Sequence, residues 1–128
     1  MDKFRILMID DEKDIGSFFA KTFAHFKHIE FLLSDRAAEG VQIAKREKPG
    51  VILLDLRMPG MNGEEALAEL KQFLPNSKII IMTGWEDGET QSRIEAMGVD
   101  AYYTKPIDME KVITKVLSFA MVKDAGKS

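Results

Sequence analysis

Five side chains that could take part in chemistry stand at the ends of apolar runs in this sequence. They are three carboxylates, one hydroxyl and one amine: Asp10, Asp11, Asp55, Thr83 and Lys105. Each has an ordinary explanation when it is taken alone, because carboxylates and hydroxyls often cap helices or turns and a lysine is usually a solvated surface charge. Taken together they indicate a site, because three carboxylates in one crevice repel one another unless a cation intervenes.

The chemistry that this set favours is phosphoryl transfer to a carboxylate, assisted by a metal ion. Oxygen ligands without histidine or cysteine indicate Mg²⁺, which commonly takes one or two carboxylates, waters and phosphate oxygens. Asp55 would then have a cation beside it, the Lys105 amine opposite and the Thr83 hydroxyl nearby. A carboxylate needs these groups to attack a phosphoryl group and to stabilise the oxygens of that group.

Strands and helices alternate along the chain, and they must bring these residues together. Five short apolar segments are predicted to be strands, at residues 4–9, 29–33, 51–54, 78–82 and 101–104. The alternation implies a doubly wound α/β fold, in which one parallel sheet with right-handed crossovers carries helices on both faces. Ligands bind such sheets at the carboxyl ends of the strands. We therefore expect the five side chains to converge at that edge.

Apolar residues at three-and-four spacing indicate the helices between these strands. The first helix carries one stripe that we expect to be core: Ile15, Phe18, Phe19, Thr22, Phe23 and Phe26. We expect Ser34 or Asp35 to cap the second helix. The fourth predicted helix, residues 86–97, has almost no apolar anchors besides Ile94 and Met97. We therefore expect it to be the least firmly held helix.

The composition limits what kind of protein this chain can be. With 128 residues it has the length of one domain, and its net charge of −3 offers no basic footprint for nucleic acid. It has no cysteine, and its N-terminus does not resemble a signal peptide. No apolar run approaches the roughly 18 residues that a membrane helix needs. We therefore expect a cytoplasmic protein that binds neither nucleic acid nor membranes directly.

The sequence resembles the receiver domains of two-component response regulators. The resemblance covers nearly the whole chain and rests on four motifs: Asp10-Asp11, Leu54-Asp55-Leu56-Arg57-Met58-Pro59-Gly60, Thr83-Gly84 and Lys105-Pro106. It implies the flavodoxin-like strand order 2-1-3-4-5, with the five strands flanked by five helices. We predict that residues 1–122 form the receiver domain and that residues 123–128 form a C-terminal tail.

The resemblance implies a phosphoacceptor and a set of metal ligands. Asp55 would be the phosphoacceptor. Asp10 and Asp11 would hold Mg²⁺ together with Asp55 and the backbone carbonyl of Arg57. Mg²⁺ is therefore the cofactor that the resemblance implies.

Further roles follow from the resemblance for the residues after the fourth and fifth strands. Thr83 would contact a phosphoryl oxygen, Gly84 would leave room for the phosphoryl group, and Lys105 would pair with it. The bond between Lys105 and Pro106 would be cis. Tyr102 falls at the position of the family's switch aromatic. Inward movement of Thr83 and Tyr102 would remodel the surface of the fourth helix, fifth strand and fifth helix.

The resemblance implies that two further positions set how long the phosphoryl group lasts. These are Arg57, two residues past the phosphoacceptor, and Trp85, two residues past Thr83. Neither side chain offers a base that would orient an attacking water. We therefore predict a comparatively long-lived phosphorylated state, although both side chains pointing into solvent is an open alternative.

The resemblance also implies a role in signalling. The domain would take a phosphoryl group from a sensor histidine kinase or a histidine phosphotransfer protein, and it would catalyse only its own phosphorylation and dephosphorylation. A downstream partner, an output domain or a second copy of the chain, forming a homodimer, would dock on the remodelled surface. The sequence names neither kinase nor target, and it leaves open whether the chain is a stand-alone receiver or one domain of a longer regulator.

Other classes of protein fit the residues less well. A haloacid-dehalogenase-like phosphatase needs a second acidic residue two positions after its nucleophile, where this chain has Arg57. A flavodoxin-like cofactor binder needs a phosphate loop after the first strand, where Asp10, Asp11 and Glu12 would repel a phosphate. An interaction module that is not phosphorylated would not need Asp55, Thr83 and Lys105 together.

Overall fold

Five parallel strands and five helices make up the described part of the chain. The structure is a computed structural model that describes residues 3–60, 62–84 and 87–125, with side chains described up to residue 120. The strands are β1 (Phe4–Ile9), β2 (Ile29–Ser34), β3 (Val51–Leu54), β4 (Lys78–Thr83) and β5 (Ala101–Thr104). The helices are α1 (Lys13–Phe23), α2 (Ala37–Glu47), α3 (Gly63–Phe73), α4 (Gly88–Ala96) and α5 (Met109–Ala125). The sheet order is β2-β1-β3-β4-β5, which confirms the predicted fold.

The register of the sheet brings the ends of β1 and β3 together. Ile9 pairs with Leu54, so the next residues, Asp10 and Asp55, leave the sheet side by side. The backbone N–H of Asp55 donates a hydrogen bond to the Ile9 carbonyl at 3.0 Å. Every residue of β3 is fully buried, as expected for the middle strand of a sheet that is covered on both faces.

An apolar core lies on each face of the sheet, because alternate residues of a strand point to opposite sides. One core packs strand residues against α2, α3 and α4: Leu7, Ile9, Ile52, Leu54, Val41, Leu67, Leu70 and Ile94. The other core packs strand residues against α1 and α5: Ile6, Met8, Leu53, Ile80, Phe19, Phe23, Val112 and Val116. The two cores hold the strands so that their carboxyl ends lie along one edge of the sheet.

The aromatic stripe of α1 is only partly core. Phe19 and Phe23 are buried, as predicted. The prediction is wrong for Phe18, which is 46% exposed. Phe18 lies about 100° around the helix from Phe19, whereas the sheet covers the face formed by Ile15, Phe19 and Phe23. Phe26 follows the end of α1 and packs against the same core.

The start of α2 also differs from the prediction. Neither Ser34 nor Asp35 is its N-cap, because Ser34 is the last residue of β2 and Arg36 occupies the capping position without a side-chain hydrogen bond. The Ser34 hydroxyl accepts a hydrogen bond from the Arg36 N–H at 3.3 Å and donates one to the Arg36 carbonyl at 2.8 Å. The hydroxyl is therefore used in the turn between β2 and α2.

Helix α4 is weakly anchored, as the sequence predicted. It begins after Asp87, whose Oδ1 accepts a hydrogen bond from the Thr90 N–H at 2.6 Å. Ile94 is its one buried residue, and Met97 follows its end and packs against the same core as Ile94. The predicted start at Glu86 lies outside the described residues. The position of α4 therefore depends on few apolar contacts.

The ends of α3 and α5 complete the description of the fold. Helix α3 begins at Gly63, and the Asn62 side chain accepts hydrogen bonds from the backbone N–H groups of Glu64 and Glu65. Helix α5 continues to Ala125, beyond residue 122, where the predicted domain ends. Among the residues that the structure describes, no helix is long and apolar enough to cross a membrane.

Candidate functional site

Three carboxylates meet at the carboxyl edge of the sheet, where β1 and β3 end. Asp10, Asp11 and Asp55 each present one carboxylate oxygen within 4.8 Å of the others, and we call these three residues the acidic cluster. Asp10 and Asp55 are buried, with 2% and 3% of their surface exposed, whereas Asp11 is exposed. The structure thus brings together the three carboxylates that the sequence places at strand ends.

Lys105 reaches into the acidic cluster from the end of β5. Its Nζ lies 3.0 Å from Asp10 Oδ2 and 3.2 Å from Asp55 Oδ2. A third carboxylate oxygen, Glu12 Oε1, lies 2.6 Å from the same Nζ. The backbone N–H of Lys105 donates a hydrogen bond to the Thr83 carbonyl at 2.8 Å, which fixes the base of the side chain beside the end of β4. One amine therefore serves three carboxylates.

Backbone N–H groups hold the two buried carboxylates in place. The Glu12 N–H donates to Asp10 Oδ1, and the Arg57 N–H donates to Asp55 Oδ1, both at 2.9 Å. Each aspartate therefore uses Oδ1 to fix its own loop and turns Oδ2 toward the Lys105 amine. The loops after β1 and β3 present their carboxylates in the same way.

Burial dominates the electrostatics of the site. It raises the pKa of Asp10 above 3.8, although the Glu12 N–H and Lys105 act against this rise. Burial also raises the pKa of Asp55, and the charge of Asp10 adds to that effect, against the Arg57 N–H and Lys105. Burial alone would lower the pKa of Lys105, but its contacts with Glu12 and Asp10 raise it above 10.5. The Lys105 amine therefore does not fully offset the effect of burial on the two carboxylates, and the pKa of each stays raised.

The predicted switch residues lie on β4 and β5. Thr83 is fully buried, and among the described residues its hydroxyl oxygen has no hydrogen-bond partner. A Cβ added to Gly84 would meet nothing within 4 Å, so there is open space beside Thr83. The Tyr102 hydroxyl oxygen is inaccessible to solvent, and its side chain packs against the core that contains Ile94. The Tyr102 side chain is therefore turned inward. The peptide bond after Lys105 is cis.

Comparison with known proteins identifies the family. The family model described as the response regulator receiver domain matches residues 6–117. The chain belongs to this family. The sequence predicts the same family from the four motifs around the site, and the match covers most of the chain.

Three relatives illustrate how far the similarity of this receiver domain extends. It is 29% identical over 122 residues to sporulation initiation phosphotransferase F of Bacillus subtilis (strain 168), with 93% of this chain and 95% of that protein covered. It is 33% identical over 115 residues to protein PilH of Pseudomonas aeruginosa, with 88% and 93% covered. A CheY-like receiver domain from Methanospirillum hungatei JF-1 has a TM-score of 0.82 and 26% identity over 100% of both chains.

The acidic cluster of the receiver domain fits a hard divalent cation. Its donors are oxygens only, and they lie within 4.8 Å of one another, as the ligands of one ion must. Burial raises the pKa of both Asp10 and Asp55, so a cation would supply the positive charge that these ionised groups lack. The backbone of Arg57 lies against Asp55. Its carbonyl as a further ligand stays a prediction.

The two residues predicted to set the lifetime of the phosphoryl group are not tested by this geometry. Arg57 is exposed in the loop after β3. Trp85 lies outside the described residues. Their roles therefore stay predictions, and the receiver fold alone does not assign them.

The contact between Glu12 and Lys105 was not predicted from the sequence. Glu12 appears in the sequence only as the third member of an acidic run, yet it lies within 2.6 Å of the Lys105 amine. Spacing could not reveal this contact, because the two residues are 93 positions apart in the chain. The one available signal was that an acidic residue directly follows the two predicted metal ligands.

Proposed function

We propose that this receiver domain is a Mg²⁺-dependent phosphoacceptor in which Asp55 takes the phosphoryl group. The observation that carries the proposal is the pairing of a buried carboxylate with an amine inside an acidic cluster, since Lys105 Nζ is 3.2 Å from Asp55 Oδ2. A lysine in that position would pair with phosphoryl oxygens once Asp55 is phosphorylated. As a receiver domain, the chain is a signalling module.

The proposed donor is a phosphohistidine of a sensor histidine kinase or a histidine phosphotransfer protein. A carboxylate oxygen of Asp55 forms the new P–O bond while the P–N bond of the phosphohistidine breaks. The imidazole leaves with the electron pair of that bond and takes up a proton, and three oxygens stay on the phosphorus. The name of one relative, sporulation initiation phosphotransferase F, supports this class of reaction.

Residues around Asp55 would stabilise the transferred group. Lys105 supplies a positive charge, and the Thr83 hydroxyl, which has no partner among the described residues, supplies a hydrogen bond. Gly84 leaves open space for the phosphoryl oxygens. The acidic cluster and the Arg57 carbonyl would hold Mg²⁺, which supplies further positive charge to those oxygens when bound.

The proposed signal is a change of the surface formed by α4, β5 and α5. When the Thr83 hydroxyl turns to a phosphoryl oxygen, the space beside it changes, and Tyr102 packs inward on the neighbouring strand. Helix α4 has Ile94 as its one buried residue, so a small change at its start would move it. A downstream partner, an output domain or a second copy of the chain would read this surface.

Intact-mass measurement with phosphoramidate as a small donor tests the phosphoacceptor. Wild type should gain one phosphoryl group in Mg²⁺, and chelation of the metal should suppress the gain. Asp55→Ala should gain none, whereas Asp14→Asn, which removes an exposed carboxylate from the first turn of α1, should match wild type. An adduct on Asp55→Ala as large as on wild type would refute the assignment, and undiminished labelling in chelator would refute the metal dependence.

A further inference from the structure

One carboxylate that contacts Lys105 stands outside the acidic cluster. Glu12 Oε1 is 2.6 Å from Lys105 Nζ, closer than the oxygens of Asp10 and Asp55 at 3.0 and 3.2 Å. Glu12 is not among the residues whose oxygens converge for a metal ion. A bound cation would therefore compete with the amine for Asp10 and Asp55, and Glu12 is the partner that would stay with the amine.

The capping position of Glu12 does not explain where its side chain goes. Glu12 is the N-cap of α1, yet its side chain makes no capping hydrogen bond. A carboxylate at this position usually accepts a hydrogen bond from the first turn of the helix and is favoured by the helix dipole. Here the carboxylate instead contacts a lysine from the other end of the chain. The contact with Lys105 therefore determines the conformation of this side chain.

The exposures of the two side chains place Glu12 on the outer side of the amine. The Lys105 side chain is 10% exposed, and the Glu12 side chain is 53% exposed. A phosphodonor that approaches from solvent therefore meets the Glu12 carboxylate before it reaches the amine. Like charges a few ångströms apart repel, so the Glu12 carboxylate opposes the approach of phosphoryl oxygens to the amine.

Building on the phosphoacceptor function proposed above, we propose that Glu12 is a positioning residue that holds the Lys105 amine and restrains phosphorylation of Asp55 until the phosphoryl group displaces it. Glu12 acts through Lys105 and does not touch the phosphorus. Because solvent screens a half-exposed ion pair, the restraint corresponds to about a five-fold change in rate.

Phosphorylation kinetics test this role with phosphoramidate and saturating Mg²⁺. Glu12→Gln, which keeps the size of the side chain and removes its charge, should be labelled about five-fold faster than wild type. Glu12→Asp keeps the charge on a shorter stem, so its rate should fall between the two. Asp14→Asn is the matched control, because Asp14 is an exposed carboxylate two residues further on, in the first turn of α1, and the described contacts of Lys105 do not include it. A wild-type rate in Glu12→Gln, or an equal acceleration in Asp14→Asn, would overturn the proposal.

A second measurement tests the contact without phosphorylation. In ¹⁵N-labelled, unphosphorylated protein with Mg²⁺, Glu12→Gln should speed the exchange of the Lys105 ammonium protons with water, and Asp14→Asn should not. Unchanged exchange in Glu12→Gln would overturn the proposal. If wild type takes no phosphoryl group on Asp55, the phosphoacceptor function fails instead, and the exchange measurement still decides whether Glu12 holds Lys105.

Discussion

Arg93 on α4 forms an ion pair with Glu64 in the first turn of α3, with Nη2 and Oε1 2.8 Å apart. The hydrogen bond between them lowers the pKa of Glu64 and raises the pKa of Arg93. Since Ile94 is the one buried residue of α4, this polar contact adds to the few contacts that join α4 to the rest of the domain. Both side chains are partly exposed, so the ion pair can break without exposing the apolar core.

Glu64→Gln should therefore loosen α4. Amide exchange across Gly88–Ala96 should be about two-fold faster than in wild type, the scale expected for a partly exposed ion pair. Hydrogen-exchange mass spectrometry measures this directly. Glu89→Gln is the control, because the contact of Glu89 with Arg93 lies within α4 itself. Equal exchange in the two variants would show that the ion pair between Arg93 and Glu64 does not stabilise the position of α4.

A phosphoryl mimic should change amide protection in α4, β5 and α5. Beryllofluoride with Mg²⁺ would place oxygen-like ligands beside Thr83 and Lys105, and the weakly anchored α4 should respond first. Exchange is measured with and without the mimic, and Asp55→Ala serves as the control that cannot bind it. Changes confined to α1 and α2 would contradict the proposed output surface.

Asp10→Asn should stabilise the metal-free protein at neutral pH. Burial raises the pKa of Asp10 above 3.8, so the folded protein binds this proton more tightly than the unfolded chain does. That contribution to stability is present at low pH and is lost as the pH rises through the folded-state pKa. In chelator at pH ~7, the melting temperature should rise by about 4 °C, or roughly 1 kcal/mol for a domain of this size.

The gain from Asp10→Asn should shrink as the pH falls toward 3.8, because wild type then recovers its proton. Thermal unfolding across this range measures the effect, with Asp14→Asn as the control for loss of an exposed carboxylate. A gain that does not depend on pH would show that the variant acts through packing and not through ionisation.

Two neighbouring aromatic residues of α1 should differ widely in their effect on stability. Phe19 is fully buried, so Phe19→Ala should lower the free energy of unfolding by about 3–5 kcal/mol. Phe18 is 46% exposed, so Phe18→Ala should cost less than about 1 kcal/mol. Urea denaturation of both variants measures the difference. Similar losses in both would mean that the sheet covers the whole aromatic stripe after all.

The phosphorylated protein should lose its phosphoryl group faster when the two predicted lifetime residues are replaced. Hydrolysis needs a water in line behind the phosphorus, and arginine offers only donors, so it cannot activate that water. In Arg57→Asn/Trp85→Ala the decay should be about ten-fold faster, a change of roughly 1.4 kcal/mol in the barrier. Timed intact-mass spectra follow the decay. Arg46→Asn, at an exposed arginine of α2, is the control, and an unchanged or slower decay in the double variant would exclude a protective role.

The strands could be predicted almost residue by residue, because their signal is local. A short apolar run is the local signal of a strand in a covered parallel sheet, and β1, β3 and β5 begin and end where the predicted segments do. The first residues of the helices were harder to predict, because they depend on which hydroxyl is free to cap the helix N-terminus. Ser34 has the right chemistry for an N-cap, but its hydroxyl is used by the backbone of Arg36 in the preceding turn.

Some features of the site could likewise be predicted from the sequence, and others could not. The convergence of Asp10 and Asp55 follows from strand order and register, and both are properties of the fold as a whole. The contact of Glu12 with Lys105 depends on the rotamer of one side chain, and the spacing of residues in the sequence does not predict a rotamer. The exposure of Phe18 likewise depends on where the sheet meets α1, and the apolar stripe was broader than the face that the sheet covers.

Strand β1 lies between β2 and β3, both of which come later in the chain. During synthesis, β1 therefore emerges before either neighbour, and one of its edges stays open until Val51–Leu54 has left the ribosome. Residues 6–9 of β1 are wholly apolar, and an open apolar edge pairs readily with other chains. Translation past β3 is thus the point at which the nascent chain can protect its own first strand, and fragments that stop before residue 51 should aggregate.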